Sequence, residues 1–469
     1  MKILILGAGR VGESVAESLV SEQNDITVID TDPQRLALLQ DRMDLRGVVG
    51  NGIQPSVLRE AGAEDADMLI ACAPLDETNL VACKIAHELF RIHTRIARVR
   101  SPEFTDGSEL MRPEGFAVDK VICPEESLTT YIRKLIQYPE ALQVLEFSQQ
   151  RVSLIAVRAM EGGPMVQHVI SDLPQLVPEL PMRIVAIYRR DALGHDRQVV
   201  CNGSTRIELG DELFVLAASE HVRGVLDALH RRDRPVRRVM IAGGGRVGLR
   251  LARHIARDCQ VKLIETSPQR CEYLSTQLPA PTLVLRGDST DEELLEHENV
   301  NDTDLFLALT SDDEDNIMSC LLAKRMGAQR VLALINRRAY ADLVQGQGTQ
   351  IDIAVSPAQT IIGELLAHVA AVYSLRRGDA EALEAVARGD EKSSKVVGRR
   401  IEQLALPPGA MIGAIVRDRP DADLLPAQEV IIAHHDTVIR SGDHVIVFVP
   451  RKRMVRQIEK LFQVGATFF

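Results

Sequence analysis

The chain opens on an apolar run, Ile3 to Leu6, punctuated by glycines at 7, 9 and 12. Apolar residues then fall at Val11, Val15, Ala16, Leu19 and Val20. A short apolar run bounded by glycine predicts a buried strand, and the second spacing predicts one face of a helix. Residues 3–20, ILILGAGRVGESVAESLV, therefore read as strand, glycine turn and helix. The same phrase returns at residues 239–256 as VMIAGGGRVGLRLARHIA. Gly7, Gly9 and Gly12 become Gly243, Gly245 and Gly248, and the helix face becomes Val247, Leu251, Ala252, Ile255 and Ala256.

The match continues beyond the glycines. VIDTDPQR (28–35) parallels LIETSPQR (263–270), GVVGNG (47–52) matches LVLRGDS (283–289) at Gly50 and Gly287, and DADMLIACAPLDETN (65–79) parallels DTDLFLALTSDDEDN (302–316). Even the exits correspond, VICPEESLTTYIRKLI from Val121 and IAVSPAQTIIGELLAHV from Ile353. So many collinear matches identify an internal duplication. Each copy alternates short Val/Ile/Leu strands with amphipathic helices, the pattern of a parallel sheet covered on both faces. The expected class is α/β, with two tandem units. Each has a Rossmann-like parallel-sheet domain (residues 1–123 and 236–355), a crossover helix and a small α+β lobe (141–228 and 371–456). The lobes are marked by strands such as RIVAIYRR (183–190) and MIGAIVRD (411–418), and by a last strand after a turn in IELGDELFVLA and IRSGDHVIVFV. The basic stretch HRRDRPVRR (230–238) reads as a solvated linker between the halves.

Composition narrows the function. The 469 residues are 45% hydrophobic and 26% charged, a globular balance, with only 3% aromatics and no Trp, so Val, Ile, Leu and Ala must build the core. A net charge of −11 and a pI near 5.6 argue against a nucleic-acid binder. The immediate strand at Lys2-Ile3 leaves no room for a signal peptide. No apolar run reaches the length of a membrane span, and TIIGELLAHVAAVYSL, from Thr360, carries Glu364 and His368 and reads as an amphipathic helix. The seven cysteines form no CxxC and no ligand-spaced cluster with His, which predicts reduced thiols and no metal site. Cys83 and Cys320 match across the repeat on apolar helix faces and read as core.

In GAGRVG, Gly7 permits the turn, Gly9 lets a pyrophosphate approach the backbone, and Gly12 lets the helix pack on the sheet. The helix N-terminus then presents free N–H groups to phosphate. Asp30 follows 18 residues after Gly12, at the end of a second strand, where a carboxylate accepts from ribose hydroxyls and repels a 2′-phosphate. Glu265 stands at the matching place. NAD(H), or an adenine nucleotide with an unphosphorylated ribose, is thus favoured over NADP. The candidate contacts are Gly7, Ala8, Gly9, Arg10, Val11, Gly12, Asp30, Asn51, Ala73, Pro74 and Arg98 in copy one. In copy two they are Gly243, Gly244, Gly245, Arg246, Val247, Gly248, Glu265, Asp288, Thr310 and Ser311. Arg10 and Arg246 either reach phosphate or cap the helix outside. Ala73-Pro74 and Thr310-Ser311 are placed at the ends of the fourth strands, bordering the nucleotide. Arg98 ends the fifth strand of copy one, where copy two has Ala333 or Leu334; Arg337 or Arg338 lies close enough to substitute. The two pockets are therefore not chemically identical. No acid–base group of a dehydrogenase stands out. His195, His221, His434 and His435 read as loop or helix-end residues. An NAD-dependent oxidoreductase and a purely structural scaffold remain the alternatives.

With GAGRVG, ARVRSPEF, GGGRVG and LINRRAY in this order, the whole chain resembles tandem RCK (KTN-type) regulatory domains of bacterial potassium transport. The resemblance implies a non-enzymatic, nucleotide-sensing subunit that binds NAD(H), and a second adenine ligand such as ATP or ADP. It implies a homo-oligomeric ring, a tetramer of this chain, peripheral on the cytoplasmic face of the inner membrane. Its partner there is an integral potassium-translocating subunit of the TrkH or TrkG type.

Overall fold

Six short strands build the first sheet: β1 (Lys2–Leu6), β2 (Asp25–Asp30), β3 (Arg46–Val49), β4 (Met68–Ala71), β5 (Thr94–Arg98) and β6 (Lys120–Ile122). They lie in the order β3-β2-β1-β4-β5-β6, all parallel. The computed structural model describes residues 1–20, 24–101, 103–104, 108–191, 196–229, 235–337, 340, 344, 351–357, 360, 372–374, 380–419 and 427–463. His195, Arg338, most of the basic stretch 230–238 and most of the helix expected from Thr360 lie outside the described residues.

Central strands such as β1 and β4 are buried on consecutive residues because helices cover both faces. The helix Arg10–Val20 turns Val15, Ala16 and Leu19 to the sheet. The helix Pro33–Arg42 starts where Asp32 accepts from the N–H groups of Gln34 and Arg35, with Pro at its first position. Strand order reverses at β1 and β4, which opens a crevice at their carboxyl ends.

The first lobe follows: β7 (Ala141–Phe147), β8 (Val152–Arg158), β9 (Met182–Arg190), β10 (Asp196–Val199) and β11 (Glu212–Ala218), antiparallel in the order β10-β9-β11-β8-β7. The second parallel sheet holds β12 (Arg238–Ala242), β13 (Gln260–Glu265), β14 (Leu283–Arg286), β15 (Leu305–Ala308), β16 (Arg330–Leu334) and β17 (Ile353–Val355). Its order, β14-β13-β12-β15-β16-β17, repeats the first sheet strand for strand. The second lobe holds β18 (Val372–Ser374), β19 (Glu381–Val386), β20 (Met411–Arg419), β21 (Ala427–Ile432) and β22 (His444–Val449). Its order, β18-β19-β22-β20-β21, is that of the first lobe read from the other edge.

The fourth strands stop at Ala71 and Ala308, two residues before the ends expected at Ala73 and Thr310. Buried asparagines take over there. Asn79 accepts from the Ala73 N–H and donates to the carbonyls of Ala73 and Arg98; Asn316 does the same for Thr310 and Leu334. Each amide staples two strand ends that can no longer pair with each other. The pieces group by kind rather than by order along the chain. One compact unit takes Met1–Arg133 with Val236–Leu365, the other Lys134–Pro235 with Leu366–Phe469. In the second unit one core is shared by both lobes, with Phe147, Phe214 and Leu216 from the first and Ala414, Ile446 and Phe448 from the second.

Candidate functional site

The glycines of the first fingerprint do different work. Gly7 has φ +103°, and a Cβ there would come within 3.0 Å of the Cys72–Ala73 backbone. A Cβ on Gly12 would sit 1.8 Å from the Gly7 carbonyl oxygen, so the helix can approach its own turn only without one. Gly9 has neither constraint, since nothing lies within 4 Å of its Cβ direction. Packing among the described residues does not require glycine at residue 9, which leaves its backbone open to approach. Immediately beyond it the helix Arg10–Val20 begins, its first N–H groups unpaired within the helix. Val11 is half-buried in that first turn, and Arg10 is exposed.

Asp30, at the tip of β2, fastens the loop. It accepts from the Ala8 N–H at 2.6 Å and the Asp32 N–H at 2.9 Å. Each carboxylate oxygen keeps a lone pair for a ribose hydroxyl. Across the crevice the Ala73 N–H is occupied by Asn79, while Pro74 is exposed. Asn51 closes its own turn, accepting from the Ile53 N–H. Arg98 ends β5 with its Nε buried and without a hydrogen-bond partner among the described residues. Burial, and then the charge of Arg100, lower its pKa from the usual guanidinium value, opposed by Glu125. A desolvated cation with an unpartnered Nε suits an anion.

Copy two repeats the frame with altered chemistry. Gly243 has φ +106°, a Cβ on Gly248 would lie 2.0 Å from the Gly243 carbonyl oxygen, and Gly245 again faces open space. Val247 lies half-buried in the first turn. Glu265 accepts from the Gly244 N–H at 3.0 Å and the Ser267 N–H at 2.9 Å. Its reach, with that of Leu274, bears on a neighbouring exchange. A Cβ on Gly244 would fall 2.4 Å from Leu274 Cδ1 and 2.9 Å from Glu265 Oε2. Ala8 with Asp30, and Gly244 with Glu265, are thus two fillings of one space. Thr310 donates its N–H to Asn316, Ser311 is exposed, and Asp288 accepts from the N–H and hydroxyl of Thr290.

The asparagine staples fix the alignment of the fifth strands. Asn79 binds the Arg98 carbonyl and Asn316 that of Leu334, so Leu334 stands where Arg98 does, buried. Arg337 does not replace it. Its guanidinium donates to Glu314 and to the Tyr340 hydroxyl and lies over the Tyr340 ring. Asn79 and Asn316 were legible as a repeated Asn in DETN and DEDN, although no site role was read from them.

Arg246 is exposed and lies 3.9 Å from Glu125 of copy one, and Arg250 donates to Glu126 at 2.8 Å. Glu125 also lies 4.0 Å from Arg100. Cys72, Cys83, Cys259 and Cys320 are buried thiols; burial pushes Cys72 up to about 12 and Cys83 and Cys320 higher still. His221 ends a short 3-10 helix, and His434 and His435 lie in a loop. Among the described residues no cluster is placed to hold a metal, and no helix is long and apolar enough to cross a membrane.

Comparison with known proteins follows the same outline. The TrkA-N domain model matches residues 3–124 and 239–357, and the TrkA-C domain model matches residues 390–463. The chain is 52% identical over 474 aligned positions to the Trk system potassium uptake protein TrkA of Halomonas elongata, covering 100% of both. It is 50% identical to that of Vibrio alginolyticus, again covering 100% of both. Among solved structures, the GsuK RCK domain superposes with a TM-score of 0.59 at 18% identity, over 98% of this chain and 94% of that one. The GsuK channel bound to NAD gives 0.60 at 19%, over 98% and 78%. These likenesses carry the fold.

Proposed function

Because the chain belongs to the TrkA family of Trk-system potassium uptake proteins, a transport family and not an enzyme family, we propose that it is a nucleotide-sensing regulatory subunit. It takes NAD(H) in the first groove and an adenine nucleotide in the second. It acts from a homo-oligomeric ring on an integral potassium-translocating subunit of the TrkH or TrkG type, at the cytoplasmic face of the membrane.

The observation that carries this reading is the pairing between copies. Glu125 stands 4.0 Å from Arg100 of groove one and 3.9 Å from Arg246 of fingerprint two. Glu126 holds Arg250 of the same second helix at 2.8 Å. A phosphate bound beside Arg100 in groove one, or beside Arg246 at fingerprint two, competes with Glu125 for that guanidinium, so ligand binding alters how the two folds hold each other. A ligand shifts such an equilibrium only by its differential affinity for the two arrangements. In groove one the site residues divide the nucleotide. Asp30 takes the ribose hydroxyls, Gly9 and the helix N-terminus take the pyrophosphate, and Arg98 supplies the counter-charge.

Calorimetry of the full chain with NADH, beside potassium flux through membranes holding the translocating subunit, tests this. Asp30→Ala should remove NADH binding at one site per chain and its effect on flux together. Flux that answers NADH equally in the wild type and the variant would exclude the sensor role for groove one. The chain should also float with membranes that hold the partner and not with bare anionic vesicles.

A further inference from the structure

The two grooves differ most at the corner where an adenosine ribose would lie. In copy one, Asp30 stands in register with Val49 on the neighbouring strand; in copy two, Glu265 stands in register with Arg286. Partners in register on adjacent strands point to the same face, so Arg286 shares the face of Glu265. Arg286 is exposed. Charges from both residues reach the Cys271 thiol beside them. Arg270 closes the other side. It donates Nε to the Gly244 carbonyl at 2.8 Å and lies 4.8 Å from the centre of the half-exposed Tyr273 ring. The copy-one counterparts are Arg35, paired with Asp32, and Leu38; Asp32 itself is replaced by the neutral Ser267.

Copy one thus sets two carboxylates, Asp30 and Asp32, against one guanidinium at this corner. Copy two sets one carboxylate, Glu265, against two guanidiniums. The opposite end of the groove changes in the reverse sense. Arg98 and Arg100 of copy one give way to Leu334 and Asn336. Desolvation there, and then the charges of Asp312, Asp288 and Glu314, raise the Asp315 carboxyl pKa. The polarity of the groove is inverted.

We propose that groove two selects an adenine nucleotide phosphorylated on its ribose, at the 2′ or 3′ hydroxyl, which groove one rejects. In dinucleotide folds a strand-end acid takes the 2′ hydroxyl, whereas an arginine nearby accommodates a 2′-phosphate; copy one has the acid without such an arginine, and copy two has both. Arg286 is the specificity-determining residue, with Arg270 as its partner across the corner; the two guanidiniums outweigh the single carboxylate of Glu265, which by itself would repel the phosphate. The inference rests on the reading that both grooves take adenine nucleotides.

The test is calorimetry of the full chain with NADPH and, separately, adenosine 3′,5′-bisphosphate, beside NADH. Asp30→Ala serves as the background that silences groove one. The expected result is one equivalent of at least one phosphorylated probe per chain, retained in Asp30→Ala. Arg286→Val, which installs the copy-one residue at an exposed position, should weaken it about tenfold or more, the scale of one lost charge-assisted contact. NADH affinity should change by less than about twofold. Which probe binds identifies the ribose position. The proposal is overturned if neither probe binds, if binding disappears in Asp30→Ala, or if Arg286→Val weakens NADH as much as the phosphorylated probe. If NADH also fails to bind the wild type, the nucleotide reading falls with it; if NADH binds and the probes do not, only this inference falls.

Discussion

At the scale of single residues, the fingerprint separates glycines that fold the chain from one, Gly9, that packing does not require. Gly12→Ala drives a methyl into the Gly7 carbonyl oxygen at 1.8 Å. It should destabilise the first fold by about 2 kcal/mol or more, read as a lower midpoint in denaturant. Gly9→Ala meets nothing within 4 Å, so its midpoint should stay within about 0.5 kcal/mol while NADH affinity falls at least tenfold. Equal losses of stability in the two variants would remove the argument that residue 9 faces a ligand. The exchange at residues 8 and 244 gives a second test. Gly244→Ala alone should displace Glu265 and weaken binding in groove two. Gly244→Ala with Glu265→Asp, the copy-one combination, should recover the part of that loss due to the carboxylate, because the shorter side chain withdraws the Oε2 at 2.9 Å while Leu274 Cδ1 at 2.4 Å still has to shift. Strict additivity in that double-mutant cycle would show the two positions do not share the space.

At the scale of elements, the lobes are the duplication that sequence matching saw least well. Lobe one holds its last turn with a bidentate Arg189–Asp211 pair, and lobe two with Arg417–Asp443. In each, the same arginine also donates to a carbonyl before the turn, Arg206 or Val438. In each, Gly210 or Gly442 takes a left-handed φ, +87° or +88°. Asp211 and Asp443 are both buried. Asp443→Ala strands a guanidinium and the Arg440 N–H, and should cost about 3 kcal/mol of lobe stability. Hydrogen exchange in β20 and β22 should accelerate accordingly; unchanged protection there would mean the pair is dispensable. The short ELGDELF and RSGDHVI segments showed a turn before a strand. The arginines, more than 20 residues upstream, could not be joined to them without the strand order.

At the scale of the whole molecule, the chain groups its four pieces into two compact units by kind. In the lobe unit, Gly413 lies where β20 shifts register, and a Cβ there would fall 2.2 Å from Leu216 and 3.0 Å from Val185 of the other lobe. Gly413→Val should therefore lower the stability of that unit by about 1–3 kcal/mol, seen as an earlier thermal transition. Thiol chemistry reports on the nucleotide-fold unit. Cys72, Cys83 and Cys320 are buried and their pKa values are raised by desolvation, so each binds its proton more tightly folded than unfolded. The stability linked to these protons is complete below the unfolded value of about 8.5 and is lost progressively as pH rises from there through the folded value, about 12 for Cys72. Raising the pH from 7 to 8.5 should consequently leave these thiols unlabelled in the native chain, with labelling appearing only on unfolding. Rapid native labelling of Cys83 would contradict its burial.

The sequence alone determined what depends on neighbours along the chain. Glycine spacing, the acid 18 residues on, helical and strand periodicity and the repeat itself are local patterns, and local sterics and burial write them directly into residue order. It also showed that the two pockets differ, since Arg98 has no partner of its type in copy two. Only the tertiary structure decided what depends on strand register and on contacts between distant segments. Asn316 settled that Leu334, not Ala333, stands at that place, because a side-chain amide has to span two strand ends. Glu314 settled where Arg337 goes. Val49 and Arg286 sit in segments aligned only at a glycine, and their meaning arises from the strand each is hydrogen-bonded to. Register across a sheet is fixed by pairing between chain segments roughly twenty residues apart, and no periodicity within either segment encodes it.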